Sequence, residues 1–357
     1  MNLLFYLLVF LLVLIVSSTT NKLLPFLPMP LIQILLGIGI GLCLPNNQYH
    51  LDTELFLALV IGPLLFREAQ EADITSILKH WRIVLYLIFP VIFISALSMG
   101  GVAHVLWASL PLAACVAVGA ALGPTDLVAF ASLSQRFSFP KRVSNILKGE
   151  GLLNDASGLV AFRMALIAWT TGTFSLTQAG TSLAISIVGG FAVGLITALI
   201  NRFLHTFLLS VRATDIASEL LLELSLPLLT FFIAEEIHVS GIIAVVVAGI
   251  LKASRFKKIN LLEAQVDTVT ETVWQTVTFM LNGSVFVILG MELEMIAEPI
   301  LKSAFYNKVL LLLSVFLLTF LLFAIRFVMI YGFYAFRIKK LHKSLDKYVK
   351  DMLLLTF

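Results

Sequence analysis

The sequence predicts an all-helical protein that crosses a membrane many times, and three observations carry that reading. Of its 357 residues 60% are hydrophobic and 13% charged, with 28 phenylalanines, a balance far from that of a soluble domain. Apolar runs of roughly 20 residues, the length that spans about 30 Å of hydrocarbon as a helix, recur from end to end. The basic residues are confined to short segments between those runs, and nearly all of them fall on one side.

Eleven spans follow in order, centred near residues 11, 34, 60, 91, 121, 160, 194, 226, 246, 281 and 322. The first, "LLFYLLVFLLVLIV", has neither a basic head nor a small-residue cleavage site after it, so it reads as a span and not as a signal peptide. A twelfth begins at "KDMLLLTF". With the N-terminus outside, 20 of the 24 Lys and Arg residues lie in cytoplasmic loops and two, Lys302 and Lys308, lie outside. The remaining two, Arg163 and Arg326, lie within spans. That bias sets the orientation and places the basic segment from Arg337 to Lys350 in the cytoplasm.

The net charge of +3 is thus an orientation signal, and no nucleic-acid surface is expected. Cys43 and Cys115 both sit in apolar segments, which excludes a disulfide framework or a metal spacing. "GIGIG" in the second span lacks the spacing and strand context of a dinucleotide loop; like "GGFAVG" in the seventh, it suits close helix packing. "PLIQILLGIGIGL" is echoed by "SGIIAVVVAGIL" seven spans later, and an odd offset inverts the second copy, as in inverted-repeat transporters.

Two neighbouring spans carry acids at depth. In the fifth, Gly123 and Pro124 interrupt the helix just before Thr125 and Asp126. Proline removes an N–H and clashes with the carbonyl four residues back, and freed backbone at that depth is tolerated where it lines a cavity. In the sixth, "GEGLLNDASGLVAFR" places Glu150, Asn154 and Gly158 on one face, with Asp155 turned about 100° from Asn154.

Left unpaired, Asp126, Asp155 and Arg326 together cost on the order of 8 to 10 kcal/mol. Arg326 is read as the partner of Glu150 in a structural ion pair, and one arginine cannot neutralise three carboxylates. Asp155 is therefore read as a desolvated acid of raised proton affinity, able to hold either a proton or an alkali cation. Thr125, Ser157 and freed carbonyls would supply the remaining oxygens. Competition for one carboxylate couples the two ions. Arg163 reads as a snorkelling cation and His238 as an interfacial residue.

"GPTDLVAF", "GEGLLNDASGLVAFR", "VSGIIAVVVAGIL" and "NGSVFVILGMEL" resemble, in the same order over nearly the whole chain, segments of the cation:proton antiporter family that contains the bacterial and animal sodium/proton exchangers. The resemblance implies an inverted-repeat antiporter fold of thirteen helices, of which this chain holds eleven and the start of a twelfth. It implies a homodimer in the plasma membrane whose mobile core slides against a fixed scaffold. Scaffold helices 1–3 would occupy residues 1–78, core helices 4–6 residues 79–175 and a linker helix 176–212. Scaffold helices 8–10 would follow over 213–300, then core helix 11 and the start of helix 12 over 301–357.

The resemblance makes Asp155 the site of Na+ and proton binding, Asn154 its supporting neighbour, and Thr125 and Asp126 the contribution of the unwound helix. It implies electroneutral exchange of one cation, Na+ foremost and K+ as the alternative, for one proton, with no cofactor and no enzymatic activity. Leu127 stands where many relatives have proline, which alters the break. Relatives continue past "LLLTF", so a truncated chain, inactive on its own, is a further expectation. A channel would need a continuous pore, and an intramembrane aspartyl protease would carry its acids in other contexts than "PTDL" and "NDAS".

Overall fold

The computed structural model describes residues 2–43, 52–125, 130, 138–172, 176–211, 215–253, 261–302, 308–341 and 352–356. Among these residues every regular element is helical. We number the helices α1 (Asn2–Leu23), α2 (Met29–Cys43), α3 (53–71), α4 (Ile74–Lys79), α5 (Trp81–Leu106) and α6 (Leu112–Leu122). Then follow α7 (Lys141–Thr171), α8 (Leu176–Ser210), α9 (Ile216–Glu236), α10 (Gly241–Ala253), α11 (Leu261–Lys302) and α12 (Lys308–Leu341).

Each of the eleven expected span centres falls inside one of these helices, and residues 352–356 are helical where a twelfth was expected to begin. By length and composition six helices, α5, α7, α8, α9, α11 and α12, can cross a membrane within the described residues. Four more, in α1, α2, α6 and α10, are apolar but shorter. The remaining centre lies in α3, whose C-terminal half carries Arg67, Glu68 and Glu71. The protein is a polytopic, all-helical membrane protein.

Two helices contain a single wide turn, at Leu57–Ile61 in α3 and Leu87–Val91 in α5. Proline accounts for both. Pro90 lies inside the second turn and Pro63 two residues past the first, and a ring without an N–H displaces the bonding ladder that the wider turn restores.

The chain forms two compact units. The first comprises 1–70 and 190–306. Its helices touch at glycines: a Cβ on Gly37 would lie 2.2 Å from the Val287 carbonyl oxygen, and one on Gly290 2.2 Å from that of Ile34, so α2 and α11 meet backbone to backbone. Gly194 does the same on α8, where a Cβ would lie 2.2 Å from the Ala244 carbonyl oxygen of α10. Gly37 of "GIGIG" and Gly194 of "GGFAVG" thus serve helix packing, for which small residues are selected in lipid, whereas Gly39 has open space around it.

Polar side chains join α3, α8, α9, α10 and α11 of this unit. Lys252 donates to Asn201 Oδ1 at 3.1 Å and pairs with Glu223 at 3.6 Å, while Gln70 donates to Glu223 at 3.0 Å. Arg67 pairs with Glu271, and His205 lies 3.0 Å from Glu219.

The second unit comprises 71–189 and 307–357. Its core joins α5, α7, α12 and residues 352–356 through Leu87, Ile88, Val91, Ile146, Ile330, Tyr334 and Leu355. Cβ atoms on Gly100 and Gly119 would lie 2.6 Å from Val116 Cα and 2.4 Å from the Ala96 carbonyl oxygen, which brings α5 and α6 into backbone contact. This close packing sets α6 beside α7, and the candidate site lies where they meet.

Candidate functional site

α6 stops at Leu122, and Gly123 and Pro124 carry the chain into a bend. The bend is seated on α7 by a glycine: a Cβ at Gly158 would lie 2.3 Å from Pro124 Cγ, so the ring occupies the space a side chain would need. Past the bend Thr125 leaves helical geometry, and its backbone carbonyl accepts from a side chain of α7. Asn154 satisfies it. The Asn154 Nδ2 group donates to the Thr125 carbonyl oxygen at 2.9 Å and to Thr125 Oγ1 at 2.8 Å. In lipid, where water cannot solvate freed backbone, such a contact is what stabilises an interrupted helix.

The Thr125 hydroxyl in turn donates to Glu150 Oε1 at 3.2 Å. Glu150 is fully buried and receives both terminal nitrogens of Arg326, Nη1 on Oε1 and Nη2 on Oε2, each at 2.7 Å. Arg326 Nε donates to the Leu355 carbonyl oxygen at 2.9 Å. A bidentate guanidinium–carboxylate pair is the strongest geometry these groups offer, and removal from water is offset only when the remaining polar atoms are also bonded. Here a chain of contacts runs from Leu355 through Arg326, Glu150 and Thr125 to Asn154.

Ser157 is buried and donates to the Asn154 carbonyl oxygen at 2.8 Å, a bond back along its own helix that leaves its lone pairs as the available chemistry. Asn154 Oδ1 is buried and has no hydrogen-bond partner among the described residues. Asp155 lies within α7, one residue past Asn154, and its side chain lies outside what the structure describes, as does Asp126 altogether.

Of the residues singled out from the sequence, the structure brings together Gly123, Pro124, Thr125, Glu150, Asn154, Ser157 and Arg326. Sequence reasoning missed the Leu355 carbonyl and the hydroxyl bridge from Thr125 to Glu150. A backbone acceptor has no sequence signature, whereas the bridge was open to inference from a Thr beside a helix break. No group of three or more metal-ligating side chains occurs among the described residues.

Residues 7–346 match the family described as sodium/hydrogen exchanger, transmembrane. The chain belongs to that family. It is 34% identical over 319 residues to the sodium, potassium, lithium and rubidium/H(+) antiporter of Bacillus pumilus, a match covering 89% of this chain and 48% of that protein. Its identity to the antiporter of the same name from Bacillus subtilis is 35% over 335 residues, covering 94% of this chain and 50% of that protein. The exchanger-family chain therefore spans about half the length of these curated relatives. Its fold is that of the sodium proton antiporter MjNhaP1 from Methanocaldococcus jannaschii, with a TM-score of 0.67 at 18% identity over 99% of this chain and 82% of that one.

Proposed function

We propose that the protein exchanges a monovalent cation for a proton by alternating access, the two ions taking turns on Asp155, with Na+ the foremost cation and one charge moving each way. The observation that carries this reading is the full engagement of Arg326 by Glu150 and the Leu355 carbonyl. The Arg326 charge is thereby taken by Glu150, and in this reading the acid at position 155 takes its counter-charge from a proton or a mobile cation.

Asn154 Oδ1, buried without a donor among the described residues, supplies the kind of oxygen a dehydrated alkali ion needs, and the lone pairs of Ser157 and Thr125 supply others. Asp126 joins them in this proposal on the strength of its place beside the break. Gly123 and Pro124 keep that backbone open, and the tie from Asn154 to Thr125 holds it at α7. In this proposal alternating access moves a core of residues 79–175 and 301–357, with residues 1–78 and 213–300 as the scaffold, residues 176–212 as the linker and a homodimer at the plasma membrane as the assembly. K+ transport by the same route is a second reading, favoured by the Bacillus relatives whose name includes potassium.

Everted vesicles with a preset pH gradient test it. Adding Na+ is expected to dissipate the gradient for the native chain and not for Asp155→Asn, with K+ and Li+ ranking selectivity. Dissipation persisting in Asp155→Asn would remove Asp155 from the mechanism.

A further inference from the structure

The elbow between α4 and α5 is not used by the exchange chemistry. Asp73 caps α4 through Ser76 N at 3.1 Å, and its carboxylate also accepts from the Thr75 and Ser76 hydroxyls at 2.6 Å each. The acid at that end of the helix is thereby engaged, and the cations lie at the other end. Lys79 closes α4 and Arg82 opens α5, both exposed. Lys148 of α7 is exposed as well, and its neighbour Gly149 abuts Ile77 of α4, where a Cβ would lie 2.9 Å from Ile77 Cγ2, which brings this turn of α7 to α4.

Between these cations the elbow presents apolar groups outward: Leu78 is 61% exposed, Trp81 50% and Leu85 41%. The Arg82 guanidinium lies over the Trp81 ring at 5.4 Å from its centroid. An aromatic and leucine stripe with cations at its rim, at the end of a membrane-spanning helix, has the layered chemistry of the headgroup boundary.

We propose that this elbow is a binding site for an anionic phospholipid of the leaflet on the basic side of the membrane. The lipid phosphate sits among Lys79, Arg82 and Lys148, and its upper acyl chain lies along Leu78, Trp81 and Leu85. Ile77, wedged on Gly149, conveys this anchorage to α7 one residue ahead of Glu150. The inference does not depend on the transport reading, and its test measures lipid and not ion movement.

The full chain is reconstituted with a photoactivatable phosphatidylglycerol or with phosphatidylcholine carrying the same photophore, and crosslinks are mapped by peptide mass spectrometry. Each cation near an anionic surface favours it about five-fold, so phosphatidylglycerol is expected to label residues 78–85 at least about 25-fold more than phosphatidylcholine. Lys79→Gln/Arg82→Gln should lower that labelling to within about five-fold of the phosphatidylcholine level, the share left to Lys148, and Lys79→Arg/Arg82→Lys should retain it. Equal labelling by the two lipids in the native protein would overturn the proposal without recourse to any variant. So would labelling that the neutral variant leaves unchanged, or that millimolar inorganic phosphate displaces.

Discussion

Glu150 and Arg326 sit at the centre of the second unit with almost no solvent contact, joined by two bonds of 2.7 Å. Removing one partner strands a buried charge, which costs about 3 to 5 kcal/mol, whereas removing both leaves no charge to solvate. Glu150→Gln and Arg326→Met are each expected to lower thermal stability and yield of folded protein sharply. The double variant should recover much of the loss, and a thermal-shift cycle on the four proteins measures the coupling. Additive losses would show that the pair contributes nothing beyond its separate contacts. That Glu150 and Arg326 belonged together was legible in the sequence because a charge at bilayer depth requires a counterpart. The Leu355 carbonyl was not legible, since which backbone oxygen receives Arg326 Nε depends on the packing of residues 352–356.

At the scale of the element, α4 is six residues long, too short to persist without its cap and its packing. Three hydrogen bonds from Ser76 and Thr75 hold the Asp73 carboxyl down at about 2, from an ordinary value of 3.8. Because the folded value lies below the unfolded one, the cap stabilises α4 fully above about pH 4. That contribution is lost as pH falls toward 2. Asp73→Ala is expected to lower the amide protection factors of Ser76 and Ile77 at neutral pH to those that the native chain shows only in acid. Protection factors that respond to acid equally in both proteins would remove the cap from the account. The eleven spans were legible because lipid demands long apolar runs, whereas α4 is too short to show a period, and the wide turns in α3 and α5 arise from how neighbouring helices accommodate Pro63 and Pro90. The helix break is legible at Gly123-Pro124, yet that Gly158 makes room for the proline follows only from the seating of α6 on α7.

For the whole molecule, orientation is decided by charge acting across many loops and not by any one residue. The order of spans predicts 20 cations on one side and two on the other, so the basic side is expected to be the inner one, and an inverted insertion would carry a run of basic loops outward. The two cysteines supply a readout. Cys115 is fully buried and silent, while Cys43 is exposed at the end of α2, which the charge bias places outside. A membrane-impermeant maleimide is therefore expected to label the native chain in intact cells through Cys43, and to lose that reaction in Cys43→Ser. In the Cys43→Ser background, Ala253→Cys places a thiol at the exposed C-terminal end of α10, next to Lys252, which the charge bias places inside. It should react only after the membrane is opened. The reverse pattern, Ala253→Cys labelled in intact cells and Cys43 only after permeabilisation, would invert every loop assignment at once. It would also move the α4–α5 elbow to the outer leaflet, because both conclusions depend on which face of the membrane the cations occupy.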